Sequence, residues 1–556
     1  MIPVPPLAPS RRRRPPVLRI AAAAAVLLAC GAAPAWSASP ATPTSGSTAG
    51  GTAVTVVDGS AGFQQLAAGS NGGYVIDGDG QVFAWGFNSW GQLGNGGTTN
   101  SSVPVRVSQG AIPAGVTITR VAGADDGAYA LGSDGQVYAW GRNLSGQLGN
   151  GSVVASSTVP VRVQLPAGVT ATAIGAGYTS GYALTGSGAV YSWGSNSDGQ
   201  LGNGNIGTDQ STPVLVQQGA IPAGVTLVSL AAGQVSAYGV GSDGHVYAWG
   251  GDAQHQLGDG NSTAQQSAPV QVQQGAIPIG VTLTSAAAGQ GSAYALGSDG
   301  RAYAWGDNGL YQLGDGTTTV AATPVQVLAG SVPSGVTLTA VAAGSATGYV
   351  LGSDGDVYAW GYNASGQVGA GVVGDQPAPV QAPLPGGLSA VALAAGYHIG
   401  FALGSDGNVY GAGEGGTRQG DGTGNGRDAL GLSANVALTG VSLAGATPSD
   451  LVISGGGATF HTAAHAAGAV PLVLSGSVAG GAVATGLTAT RTTSFSYLGP
   501  AVSGGAATLA ATGSDVPPWI PFVAVLATLL GAVVLVREGR RRLLSADSVA
   551  RGSVRP

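Results

Sequence analysis

The chain has 556 residues, 100 of them glycine, with 8% charged and 6% aromatic residues. It has no lysine, and its single cysteine, Cys30, lies in a segment expected to be removed, so a disulfide framework in the processed chain is excluded. Between Ser39 and Thr512 eight arginines stand against twenty-two acids, a net charge of −14. That stretch lacks the clustered cations that neutralise phosphates, which argues against nucleic acid as a partner.

Glycine is this abundant without a Gly-X-Y period, so a collagen is ruled out, and Gly, Ser, Asp and Asn punctuate short apolar runs. That pattern predicts many short strands joined by tight turns, an all-β chain. In chain order, residues 1–35 read as a secretory signal peptide. Residues 11–14 are all arginine, 20–29 are a short apolar run, and Ala33-Pro34-Ala35 offers small residues for cleavage. Residues 36–53 read as a linker.

From 54 to 432 one unit recurs. VFAWG ends at Gly86, VYAWG at Gly141, VYSWG at Gly194, VYAWG at Gly250, AYAWG at Gly306 and VYAWG at Gly361. The tryptophans at 85, 140, 193, 249, 305 and 360 are spaced by 55, 53, 56, 56 and 55 residues. A seventh copy, VYGAG ending at Gly413, has lost its tryptophan. Each copy carries an AAG element, a short apolar strand, a GSDG turn, the VYAWG strand, a GQLG loop and a proline-led strand. Asp-Gly supplies the positive φ of a tight hairpin, and proline at a strand start costs no ladder bond. Four strands per period, seven periods and strands apolar on both faces predict a seven-bladed β-propeller with the tryptophans packed between blades. One sheet is expected to be sewn from the two chain ends, the half-repeat before Gly80 joining the half-repeat after Asn408.

The pattern WGxNxxGQLG…PVxV…AAGxxxxYALGSDG resembles the regulator of chromosome condensation repeat family, nearly whole in the copies beginning at Trp85, Trp140 and Trp360. The resemblance implies the same propeller. Where the family carries a histidine after each AAG, this chain has mostly Gly, Ser or Ala, with His398 a lone near-match.

Residues 434–499 are similar in spacing to a shortened immunoglobulin-like IPT/TIG module, a spacer in bacterial surface chains. Residues 500–513 read as a linker ending in Leu509, Ala510, Ala511, Thr512 and Gly513. An apolar stretch over 519–536 reads as a transmembrane helix, and 537–556 as a basic cytoplasmic tail. LAATG, span and basic residues in that order resemble a sortase sorting signal. The resemblance implies cleavage between Thr512 and Gly513 and transfer to the cell wall. The expected location is extracellular and wall-anchored in a Gram-positive-type bacterium, or membrane-anchored if the chain is not sorted.

Candidate chemistry is sparse. Most aspartates sit in GSDG turns, where turn geometry accounts for them. Asp77-Gly78-Asp79-Gly80 reads as a hairpin turn, not a calcium loop. His461 and His465 lack a third ligand, and His245 and His255 fall at variable positions. No catalytic residue, metal or cofactor is expected. Antiparallel pairing places the residues after AAG and after WG on one rim, opposite the GSDG turns, and those positions vary while the frame is fixed. Phe87, Trp90, Arg142, Tyr178, Asp307, Tyr362 and Tyr397 are the candidate ligand-binding residues there. Drift at exposed loop tips is the competing reading.

The expected function is a surface binding or adhesion protein engaging an extracellular protein or glycan. The alternative is a glycan-acting enzyme using the rim acids Asp126, Asp198, Asp307 and Glu414. Sortase is the expected processing partner, the membrane is contacted through the C-terminal helix before sorting, and no small GTPase is expected, because export separates the two.

Overall fold

The computed structural model describes residues 41–498, apart from 44, 48, 50, 51, 58–61, 262, 455, 456 and 482. The signal peptide, LAATG motif, transmembrane helix and tail expected at the ends lie outside the described residues. Among the described residues no helix is long and apolar enough to cross a membrane, and the one helical element is a 3₁₀ turn at Pro385–Gly387.

The repeats form seven antiparallel four-stranded blades, each in chain order. The first is Gln65–Gly69, Gly72–Ile76, Val82–Gly86 and Ser101–Arg106. The seventh begins Ala390–Ala395, Ile399–Gly404 and Val409–Gly413. The strand ending in Ala-Ala-Gly or its Val-Ala-Gly and Gly-Ala-Gly variants is innermost in every blade. In the first six the outermost strand holds its proline inside and not at the expected start, as Pro104 in Ser101–Arg106, at a sheet edge where no ladder bond is lost.

Pleating explains the third strand. In Val137–Arg142 the Tyr138 and Trp140 side chains leave one face and Val137 and Ala139 the other, and all four are buried. Trp140 meets Tyr74 of the preceding blade edge-on at 6.4 Å and donates its indole N–H to Gln92 O at 2.9 Å. The same pair recurs as Tyr129 with Trp193, Tyr182 with Trp249, Tyr238 with Trp305 and Tyr294 with Trp360. The tyrosine on the third strand is lashed to the GSDG turn. Tyr138 OH donates to Asp134 Oδ2 at 2.8 Å while Asp134 Oδ1 accepts the Gln136 N–H. Each turn aspartate therefore closes its hairpin and satisfies a phenol at once.

Ring closure differs from the expected sewn sheet. Each terminal blade is complete by itself, because the chain enters on the inner strand of the first blade and completes its own fourth strand in the seventh. The ends meet by packing and hydrogen bonds: Phe63 N–H to Gly407 O at 2.9 Å, Tyr397 N–H to Ser70 O at 3.2 Å and Gly422 N–H to Ser102 O at 2.8 Å. Trp85 packs edge-on to Phe401 at 5.6 Å and donates to Arg418 O at 3.0 Å.

The segment after the blades is not a detached module. The outer strand of the seventh blade, Arg427–Leu443, runs on past the blade and pairs with Gly468–Gly480, which pairs with Val483–Leu498, giving one seven-stranded sheet. A second sheet of Ala41–Thr42, Ala53–Val57, Gly457–His461 and Val452–Ser454 packs over it through Val54, Val56, Phe460, Leu472, Leu474 and Phe495. The expected 36–53 linker therefore contributes strands, Ser45–Ser47 joining the larger sheet parallel to its last strand. Val54 and Val56 alternate with exposed residues, and that inward face is what recruits the segment into the core. The Asp-Gly-Asp-Gly turn of the first blade clips this extension: Asp77 Oδ2 accepts the Thr490 N–H at 3.0 Å and Asp79 Oδ1 the Thr492 N–H at 2.7 Å.

Candidate functional site

One rim of the ring is built from the turn between the first two strands of each blade and the long loop between the third and fourth. The backbone ties them together, as in Phe87 N–H to Asn71 O, Arg142 N–H to Asp126 O and Tyr362 N–H to Ala346 O. After each tryptophan a glycine of positive φ makes the crossing. At Gly141 (φ 101°) a Cβ would lie 2.3 Å from Asp126 O, so no other residue fits. Within the loop Asn88 is buried, accepting Leu93 N–H at 2.9 Å and donating to Gly97 O and Thr99 O. Gln92 Oε1 accepts the Trp90 N–H at 2.8 Å. The loop is thus fixed from inside by Asn and Gln, and the variable residues between them face out.

Most of the candidate residues lie on one arc running from the sixth blade through the seventh and first to the third. His398 sits between Tyr397, ring centroids 4.3 Å apart, and Tyr362, at 5.4 Å. His398 Nδ1 meets Glu414 Oε2 at 3.1 Å, and Glu414 Oε1 takes Arg418 Nη1 at 3.1 Å. Arg418 reaches into the first blade, donating to Asn71 Oδ1 at 3.1 Å and covering the Phe87 ring at 4.5 Å. One sector further round, the Arg142 guanidinium lies 5.3 Å from the Trp90 ring centre and 3.2 Å from Asp126 Oδ2. Burial, with Asp125 beside it, holds the Asp126 carboxyl above its usual range against the pull of Arg142.

Tyr178 turns to the axis. Burial, with Asp125 nearby, holds its hydroxyl well above the usual phenol range against the pull of Ser70 and Ser345 on other blades. It stands with Tyr397 at the mouth of a central channel of about 180 Å³, lined otherwise by Ser70, Ser345 and the Ala and Gly of the inner strands. Asp307, on the fifth blade, lies apart from the arc. Its carboxylate accepts Gln312 Nε2 at 2.8 Å and the Gly309 N–H at 3.2 Å, so it holds its own loop.

Sequence reading missed Asn71 and Arg418, and it noted His398 and Glu414 without joining them. His398 did stand out, as the one histidine at a position that the other copies fill with Asn71, Asp126, Thr179, Val235, Gly291 and Ala346. Among the described residues no group of three or more His, Cys, Asp or Glu is placed to hold a metal ion. His461 Nδ1 is taken by Asp450 at 2.6 Å, and His255 lies inside its loop, bonded to Asn261 O at 2.9 Å.

A stiff ring of repeated sheets with its variable side chains on one rim defines a β-propeller scaffold. The regulator of chromosome condensation (RCC1) repeat matches residues 79–131, 134–184, 187–235, 243–296, 299–351 and 354–403. The chain belongs to that repeat family. It is 29% identical over 336 residues to the ultraviolet-B receptor UVR8 of Arabidopsis thaliana, covering 60% of this chain and 73% of the receptor. It is 28% identical over 311 residues to the human E3 ubiquitin-protein ligase HERC2, covering 55% of this chain but 6% of the ligase. Among solved structures it is similar in fold to Saccharomyces cerevisiae Prp20p, described with its binding to Gsp1p and histones. That match has TM-score 0.55 and 22% identity over 69% of this chain and 91% of Prp20p. Human WBSCR16 gives TM-score 0.53 and 24% identity over 60% of this chain and 84% of that one.

Proposed function

We propose that this protein is an exported surface binding protein that engages a protein or glycan through the arc from Tyr362 to Arg142, and that it is not an enzyme. The observation that carries the reading is the continuity of that arc. Aromatic faces at Phe87, Trp90, Tyr362 and Tyr397 alternate with the ion pairs Arg142–Asp126 and Arg418–Glu414 on loops pinned from within. Rigid aromatic anchors beside oriented charges lose little entropy on binding and give both area and specificity.

The rim acids do not favour hydrolysis. Asp126, Asp307 and Glu414 are each engaged by a neighbouring side chain, Asp198 accepts the Ser197 hydroxyl, and the four lie in different blades.

Export rests on the leader over 1–35 and the ordered motif, span and basic tail, which fit sortase transfer at Thr512 to a Gram-positive-type wall. The two-sheet extension, in part an IPT/TIG-like unit, acts as a spacer between ring and wall.

The test is capture of envelope, matrix and glycan ligands by the chain over 36–512, compared with the Trp90→Ala/Tyr362→Ala double variant. Loss of the captured ligand at unchanged melting temperature supports the arc, and undiminished capture places the site elsewhere. For anchoring, Thr512→Ala is expected to release the protein from detergent-boiled walls, and persistence there would reject sorting.

A further inference from the structure

Five blades carry asparagine at the second position after Trp-Gly: Asn88, Asn143, Asn196, Asn308 and Asn363. In each, Oδ1 accepts the backbone N–H five residues on, at 2.9–3.1 Å. The amide nitrogen points into the loop and donates to oxygens nine and eleven residues on, such as Gly97 O and Thr99 O, Ser152 O and Val154 O, or Val372 O and Gly374 O. In three blades it also faces the side chain seven residues on: Asn95, Asn203 and Asp315.

The fourth blade has Asp252 there. The frame is unchanged: Asp252 N–H donates to Ala264 O at 2.7 Å, as Asn143 does to Ala155 O, and Asp252 Oδ1 accepts Leu257 N–H at 2.8 Å. Oδ2 takes the amide nitrogen's place, buried and without a hydrogen-bond donor, on a residue 2% exposed. The residue seven on is Asp259, also buried, whose oxygens among the described residues accept only from Asn261. An oxygen has replaced a positively polarised NH₂ among carbonyl dipoles and beside a second carboxylate, an arrangement that is strongly unfavourable unless positive charge is supplied. The seventh blade supplies it covalently. There the asparagine position is Gly415, and Arg427 pairs with Asp421, the aspartate of the corresponding Gly-Asp-Gly turn. In the fourth blade the nearby imidazole of His255 is spent on Asn261 O at 2.9 Å.

We propose that the fourth blade binds a hard cation, Ca²⁺, between the carboxylates of Asp252 and Asp259, with the carbonyl oxygens of Asn261 and Thr263 completing the site. An all-oxygen donor set of two carboxylates and main-chain carbonyls suits calcium and not zinc or copper, and two carboxylates balance its charge. This site is independent of the rim's ligand.

The experiment uses the full chain stripped with EGTA, titrated calorimetrically with CaCl₂ at pH 7.5 and melted with and without calcium. The wild type is expected to bind one Ca²⁺ per chain and to melt higher in its presence. Asp252→Asn, which restores the side chain of the five sister blades and so should fold, is expected to lose the binding and to melt alike in both buffers. Equal calcium uptake by the variant, or none by the wild type, overturns the proposal. So does a wild type that is indifferent to calcium and gains more stability on acidification towards pH 5 than Asp252→Asn does, for then a proton fills the place.

Discussion

Each inter-blade tryptophan does two jobs, filling the space between sheets and tying its indole N–H to the preceding loop. Trp249 is fully buried, meets Tyr182 edge-on at 6.4 Å and donates to Gln200 O at 3.0 Å. Trp249→Ala is expected to cost about 3–5 kcal/mol from lost burial and the cavity left, read as a lower urea midpoint. Asp77 is a different kind of residue, a buried acid whose oxygens accept the N–H groups of Asp79, Gln81 and Thr490. Asp77→Ala leaves those donors without an acceptor, at about 1–3 kcal/mol for each that stays buried. Desolvation outweighs those bonds and, with Asp79 adjacent, pushes Asp77 from 3.8 up to about 6. The folded chain therefore holds this proton more tightly than the unfolded one. Its contribution to stability is full below about pH 4 and is lost as pH rises through 6, on the order of 3 kcal/mol in all. Asp77→Asn should flatten that slope in pH-dependent urea melts. The comparison belongs in the Asp252→Asn background, since Asp252 titrates in the same window.

At the scale of elements, the outer strand of the seventh blade is the unusual one. In the other blades the proline-bearing strand ends the sheet, whereas Arg427–Leu443 continues and pairs from Ala434 to Leu443 with Gly468–Gly480. A chain cut after residue 443 would expose that pairing edge and the buried faces of Val436, Leu438 and Val441. Such an edge is a template for another strand. The truncated chain is expected to self-associate, seen by light scattering on size exclusion, while the chain through 499 stays monodisperse. The blades themselves were legible in the sequence because every signal in them is local: the period-2 alternation of VYAWG, the Asp-Gly turn two residues before it, the proline at the outer strand. The rim position of Phe87, Trp90 and Tyr362 followed from antiparallel pairing alone. The residues that complete the site were not legible, because Arg418 finds Asn71 across 347 residues of sequence, and Asp77 finds Thr490 across 413. Contacts of that span depend on how many blades fit around the axis and on which sheet the ends join. The strands inside 41–57 hid for a related reason, being short, rich in small residues and joined to the sheets through the far end of the chain, Ala53–Val57 to Gly457–His461 and Ser45–Ser47 to Val483–Leu498.

Across the whole molecule, the two interfaces of the seventh blade differ from the rest. At the interfaces from the first to the sixth blade a tryptophan meets a tyrosine and donates to the carbonyl of the loop glutamine. Where the seventh blade meets its neighbours the pattern thins: Ala412 stands in the tryptophan's place, Phe401 in the tyrosine's, and Trp85 donates to Arg418 O in place of a glutamine carbonyl. With no strand shared between the first and seventh blades, closure combines the backbone bonds from Phe63, Tyr397 and Gly422 with side-chain packing and Arg418, which binds Asn71, covers Phe87 and pairs with Glu414. Local opening of a native protein starts where buried apolar contact is least, so the interface between the sixth and seventh blades, where Ala412 stands in the tryptophan's place, should open before the others. Native-state hydrogen exchange is expected to show the strands Thr347–Gly352 and Ile399–Gly404 exchanging faster than their equivalents in the fourth blade, Ser236–Gly241. Arg418→Ala should widen that difference while leaving the fourth blade unchanged. Uniform exchange around the ring in both proteins would mean that this interface is as strong as any other, with Tyr410 and Ala412 packed against Leu351, Val357 and Leu384 closely enough to replace the missing tryptophan.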